Sequence, residues 1–267
     1  MHRFHPAHCL LAAAALLAAA PAQAHTSTSV TLADFQISLT DLDPSDGVAP
    51  SIVFDPQLRS SVLVGYPVVD PFVSRQGDSL FGPVSLSAEL DGTGGSGSVS
   101  GDPFGAGAVI TSSAEGNNEY ADGWSSVSTT APSFGQAEFV VGAKSQVTFS
   151  GDVSVDWDAS STAAATVAFA ELRLWRNLGD EQEFLGDDWV GAFYYGEGAP
   201  SGSMSGPLGL TVANDSDAPE VVDFFLLVTS NATDRQSIPS PVDEPAGAAL
   251  LFVGVSTLWW RARRRIS

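Results

Sequence analysis

Few side chains in this sequence are equipped for catalysis. The 267 residues hold one cysteine, Cys9, and four histidines, of which three lie in the first eight positions and the fourth is His25. Residues 1–24 read as a removable leader, so the remaining chain keeps a single histidine, at its new N-terminus, and no thiol. That excludes a Ser-His-Asp triad and zinc sites built on His or Cys. The only lysine, Lys144, falls near an expected turn and reads as a surface charge.

Carboxylates are the remaining chemistry. Asp156 and Asp158 flank Trp157, a mix that can line a sugar cleft, where two acids across a glycosidic bond suffice for hydrolysis. A second group, Asp180, Glu181, Glu183, Asp187 and Asp188, precedes Trp189. Calcium takes several hard oxygen ligands from loop carboxylates and carbonyls, so this group is the best Ca2+ candidate. Asp41-Leu42-Asp43-Pro44-Ser45-Asp46-Gly47 has the look of a calcium loop, but it lacks glycine at the sixth position and glutamate at the twelfth, where Asp46 and Ile52 stand. It reads as an Asp-rich turn. Gly92, Gly94 and Gly97 satisfy G-x-G-x-x-G. No helix can follow them, because Pro103 lies six residues on, so no dinucleotide reading holds. Trp124, Trp157, Trp175, Trp189, Tyr194 and Tyr195 could stack on sugar rings, but most tryptophans in a sandwich belong to the core, so no sugar platform is assigned.

The elements that must carry these groups are strands. Short alternating runs bounded by Gly, Pro, Asp and Ser recur without helical periodicity. Val30 to Leu32 and Phe35 to Leu39 alternate cleanly, with a change of phase at Ala33-Asp34 that predicts a bulge. Strands are expected at Ser61 to Tyr66, Val84 to Leu90, Ala137 to Val141, Gln146 to Phe149, Val153 to Trp157, Thr166 to Arg176, Trp189 to Tyr195, Leu208 to Ala213 and Val221 to Thr229. Thr166 to Arg176 is apolar on both faces and should be central. Residues 91–107 read as a flexible loop, and Asn214 to Pro219 as a polar turn. The sequons at Asn214 and Asn231 look accidental. The expected fold is all-β, an antiparallel, jelly-roll-like β-sandwich forming one domain over residues 25–232. A Ser/Pro-rich linker occupies 233–241.

The two ends speak to address rather than chemistry. Arg3, an apolar run from Cys9 to Ala20 and Ala22-Gln23-Ala24 make a secretory signal, with cleavage between Ala24 and His25. Between residues 25 and 241 the chain carries 29 acids against 6 bases. A net charge near −23 repels nucleic acid and anionic lipid.

The other end reads Val242-Asp243-Glu244-Pro245, an uncharged run from Ala246 to Trp260, then Arg261-Ala262-Arg263-Arg264-Arg265. As a helix the run rises only about 22 Å against a hydrocarbon core of about 30 Å, so it is short for a permanent span. The arginine end should stay cytoplasmic and the body outside. An acidic-Pro motif, a short apolar helix and a basic stop resemble the PEP-CTERM sorting signal of Gram-negative bacteria. Glu244 and Pro245 match its Glu-Pro, and Asp243 stands where the family has its first proline. Arg261, Arg263, Arg264 and Arg265 supply the basic terminus. The resemblance covers about residues 241–267. It implies recognition and cleavage by an exosortase, a transient stay in the inner membrane, and a non-enzymatic structural or adhesive role among exopolysaccharide or other matrix components. A calcium- or carbohydrate-binding module and a polysaccharide hydrolase are the alternatives.

Overall fold

The computed structural model describes residues 26–56, 58–65, 73–90, 93–116, 122–128, 137–159, 164–178, 181–195 and 201–234. The leader with its Ala24/His25 junction, Asp180, and the tail with Glu244, Pro245 and the arginine cluster lie outside them. Fourteen strands are present: β1 (Thr26–Asp41), β2 (Ile52–Phe54), β3 (Ser61–Gly65), β4 (Val73–Gln76), β5 (Val84–Leu90), β6 (Thr93–Asp102), β7 (Gly107–Gly116), β8 (Asp122–Ser128), β9 (Ala137–Val141), β10 (Ser145–Ala159), β11 (Ala164–Asn177), β12 (Gln182–Tyr195), β13 (Ser201–Asn214) and β14 (Glu220–Asp234). Among the described residues there is no helix, hence none long and apolar enough to cross a membrane.

The fold is all-β and every strand pair is antiparallel, in two sheets. The first sheet runs β13-β10-β1-β7-β6-β5. The second runs β12-β11-β14-β8-β3-β4, with β9 also beside β14 and β2 beside β9. One edge of β14 is shared, Glu220–Phe224 pairing with β9 and Leu227–Thr233 with β8. Pairing is nested over the last six strands: β11 with β12, β10 with β13, β9 with β14.

The inward faces meet over phenylalanine. Phe149 of the first sheet stacks on Phe224 of the second at 5.0 Å and meets Phe139 edge-on at 5.6 Å. Phe35, Phe139, Phe149 and Phe224 are all fully buried, each contributing about 2–3 kcal/mol of burial. The sheets therefore pack face to face in a sandwich-like arrangement.

The expected bulge is present. The register of β1 against β10 shifts between Ala33 and Gln36, and Asp34 takes φ 50°. Leu32 and Phe35 both point inward as a result. Gly151 lies against this bulge, where a Cβ would come within 2.7 Å of Leu32 Cδ1. The Ser150-Gly151-Asp152 segment is thus not a turn between two strands. Gln146 to Phe149 and Val153 to Trp157 are halves of the single strand β10.

A second correction concerns residues 91–107. They hold the whole of β6, paired on both sides, rather than a flexible loop. Gly97 is required there by packing, since a Cβ would sit 2.7 Å from Val62 Cγ1 and 2.8 Å from Val127 Cγ2 of the facing sheet. Strands β2, β4, β7 and β8 are likewise additional to those expected. At the far end β14 continues to Asp234, with Thr233 buried and paired to Ala165, so the sheet enters the expected linker.

One end of the sandwich is tied by three turns. In Asp41–Gly47, Asp41, Asp43 and Asp46 each accept a backbone N–H two residues on, at 2.9, 3.1 and 2.6 Å. This is an Asx-turn series, as expected for an Asp-rich turn. The Ser45 hydroxyl on Asp43 holds that carboxyl below its ordinary value. Lys144 donates to the Asp215 carbonyl at 2.6 Å and pairs with Asp217 at 3.0 Å. Asn214 is fully buried and donates to the carbonyls of Val141, Gly142 and Ala218 at 3.2, 3.0 and 2.8 Å. A glycan on that nitrogen would remove one of its two N–H donors and would have to occupy a fully buried position.

Candidate functional surfaces

Strand alternation separates the acids from the tryptophan between them. On β10, Val153 and Val155 are buried while Asp156 and Asp158 are not, and Trp157 points inward with Val155. Trp157 packs over Gly202, where a Cβ would strike its ring. The two acids face outward, while Trp157 is half-buried and leans towards the core. Asp156 and Asp158 line a shallow concavity of about 480 Å³ with Glu115 and serines 27, 29, 113, 201 and 203, and Trp157 contributes to the same lining. Their Cα atoms lie two strand steps apart, about 7 Å.

That concavity belongs to an outward face rich in hydroxyls. Ser205, Ser154, Thr31, Thr111, Ser98 and Ser85 stand in register across all six strands of the first sheet. Ser98 and Thr111 are hydrogen-bonded at 2.7 Å, and Ser96 and Ser113 in the next row at 2.8 Å. Cross-strand hydroxyl pairs of this kind stabilise a solvated sheet face.

The expected calcium group is dispersed along β12. Glu183 pairs with Arg176 at 2.8 Å, an arginine that also holds Glu220 at 3.0 Å. Asp188 accepts the Gly209 N–H at 2.8 Å, joining the edge strands of the two sheets. Asp187 stands opposite Arg173 in the ladder, and Glu181 accepts Leu178 N–H through its carbonyl at 2.9 Å. A register shift at Gly186 sends neighbouring acids in different directions. Among the described residues no three His, Cys, Asp or Glu side chains converge to hold a metal ion. Asp180 lies outside them.

The outward face of the second sheet is different. On β11 the residues Ala168, Ala170, Leu172 and Leu174 turn to the core, and Val167, Phe169 and Trp175 turn outward and are half-buried. β12 adds Phe184, Trp189 and Phe193 to that face, with exposures of 55, 49 and 52%. Trp175 and Trp189 are exceptions to the expectation that most tryptophans lie in the core.

The rings form two groups. Phe169 stacks on Phe193 at 5.9 Å, and Trp189 meets Phe193 edge-on at 5.8 Å. Phe169 gains that position because Gly191, its partner on β12, has no side chain; a Cβ there would strike Phe169. Further along, Trp175 and Phe184 lie 5.9 Å apart. Between the groups Arg173 bonds Glu171 Oε1 from Nε at 2.6 Å and again from its terminal nitrogen. Its guanidinium also lies over the Phe225 ring at 5.9 Å. A sequence signal for this face existed in Trp189-x-x-x-Phe193 and Val167-x-Phe169, both apolar on the side facing away from the alanines and leucines.

Asp223 closes the strip beyond Trp175. It is 2% exposed, accepts Gln182 Nε2 at 2.5 Å, and stands directly across the ladder from Glu138. Burial first, and then the charge of Glu138, push its carboxyl above the ordinary value, while the Gln182 bond pulls it down.

Comparison of the chain with protein-family models, with curated proteins and with solved structures found no match in any of the three.

Proposed function

We propose that the protein is exported, sorted through a PEP-CTERM-like tail, and serves as a structural or adhesive component of the cell surface or extracellular matrix. The observation that carries this reading is the order of parts in residues 242–265: Glu244-Pro245, the apolar run 246–260, and Arg261, Arg263, Arg264 and Arg265. An exosortase is the processing partner, and exopolysaccharide the surroundings. The body suits such a role. Its antiparallel sheets are tied by turns that satisfy their own polar groups, and its strongly negative charge keeps an exported chain dispersed. The connectivity is read as jelly-roll-like, on the strength of the nested pairing of β9 with β14, β10 with β13 and β11 with β12.

The test is a pair of tail variants expressed in the native cells. Glu244→Ala with Pro245→Ala should leave the chain unprocessed and held in the membrane fraction. Replacing the four arginines by glutamine should also abolish correct sorting, by removing the cytoplasmic stop. Unchanged size and unchanged location in both variants would reject the sorting signal.

A further inference from the structure

We propose that the outward face of β11, β12 and β14 is a docking strip for a neutral polysaccharide chain. The strip carries Phe169, Trp175, Phe184, Trp189 and Phe193. Exposed aromatic surface of this extent on a chain so rich in acids is a sign of an interaction site. From Phe184 to Phe193 it runs roughly 25 Å along the strand, and three strands make it about 10 Å wide. Those dimensions fit an extended polymer better than a compact small molecule. Aromatic faces carry negative π density, and the C–H bonds on the flat side of a pyranose ring present the complementary positive edge.

Charge selects among occupants. The body as a whole repels anionic polymers, and it repels a second copy of itself for the same reason. Within the strip the charges are largely internal: Arg173 is spent on Glu171 and on the Phe225 ring, leaving Asp187 opposite it in the ladder. Among its described residues the strip therefore presents no cation of its own to counter the body's repulsion of an anionic ligand. What is offered is a run of exposed ring faces and edges in two clusters, with the Arg173–Glu171 pair set between them, which suits a chain of uncharged sugars bearing hydroxyls at its rim. The inference gives the matrix role proposed above a ligand, and rests on that role only for where the ligand is met.

The experiment uses the mature protein as its cells export it. Retention is measured on regenerated cellulose, chitin and an insoluble mannan, with alginate as an anionic comparison, at 0.15 and 1 M salt. The expected result is retention on at least one neutral polymer, insensitive to salt, with none on alginate. Trp189→Ala with Phe193→Ala should weaken that retention at least tenfold while the far-UV circular dichroism and thermal midpoint stay near those of the parent, since both side chains are half exposed. Trp189→Tyr with Phe193→Tyr should restore most of it. Ser29→Ala on the opposite sheet should leave it unchanged. No retention on any neutral polymer would overturn the proposal, as would equal retention by the double alanine variant. Dimerisation by analytical ultracentrifugation that the double variant abolishes would overturn it too, by assigning the strip to a second copy. None of these outcomes depends on tail cleavage, so failure here and failure of the sorting reading are told apart.

Discussion

Asn214 shows how much of this fold rests on single polar side chains. Its amide nitrogen serves three carbonyls from the β9–β10 and β13–β14 turns, and its oxygen accepts Ser216 N–H at 3.0 Å and Ser216 Oγ at 2.7 Å. Asn214→Asp keeps the shape and the acceptor, but aims an anionic oxygen at three carbonyls. A loss of about 2–3 kcal/mol is expected, from unsatisfied buried groups alone, measured by urea unfolding at pH 7. A change under about 0.5 kcal/mol would show that the turns hold without it. Gly97 makes the converse point. Gly97→Ala puts a methyl against Val62 and Val127. Overpacking of this kind costs about 1–3 kcal/mol, and a neutral substitution would mean that the two sheets can move apart at β6.

At the scale of elements, β14 carries the most consequential buried acid. The folded chain holds the Asp223 proton to a higher pH than the unfolded chain does. Between the ordinary value near 3.8 and the raised one, the folded state therefore binds more protons. Stability is fully present below the ordinary value and is lost as pH rises through the raised one. Asp223→Asn has no proton to lose. It should gain stability relative to the parent between pH 3.5 and pH 7 in urea unfolding. A difference that is flat with pH, or that grows towards acid, would contradict the assignment.

The elements also show what could be read in advance. β5 matches its expected limits because its apolar and polar residues alternate plainly, and β9 matches through its β-favouring Phe139-Val140-Val141 run. The bulge in β1 was legible because Leu32 and Phe35 break phase. β6 was not, because Thr-Gly-Gly-Ser-Gly-Ser has weak intrinsic strand preference, and the packing that demands Gly97 comes from strands far away in sequence. β10 reads as two strands because Gly151 has the character of a turn residue, whereas the bulge opposite makes it necessary. The acids 181–188 are neighbours in sequence, whereas alternation along β12 and the register shift near Gly186 set their directions, and neither is visible in sequence proximity. The aromatic strip was visible as a second apolar face on β11, but its exposure depends on which side the other sheet occupies, and no local pattern sets that.

At the scale of the whole molecule, two surfaces face away from the core: a hydroxyl-covered face on the first sheet and an aromatic strip on the second. An acidic body with one polar and one aromatic face suits a component that stays dispersed in water and still adheres to uncharged polymer. The address of that body is the central claim, and the mass of the mature protein recovered from its own cells, together with its cell fraction, tests it most directly. The account predicts a chain that begins at His25, ends close to Glu244-Pro245 without the four arginines, and is found at the cell surface or in the matrix. A chain recovered in the inner membrane and still ending at Ser267 would make the tail a plain anchor and contradict the account.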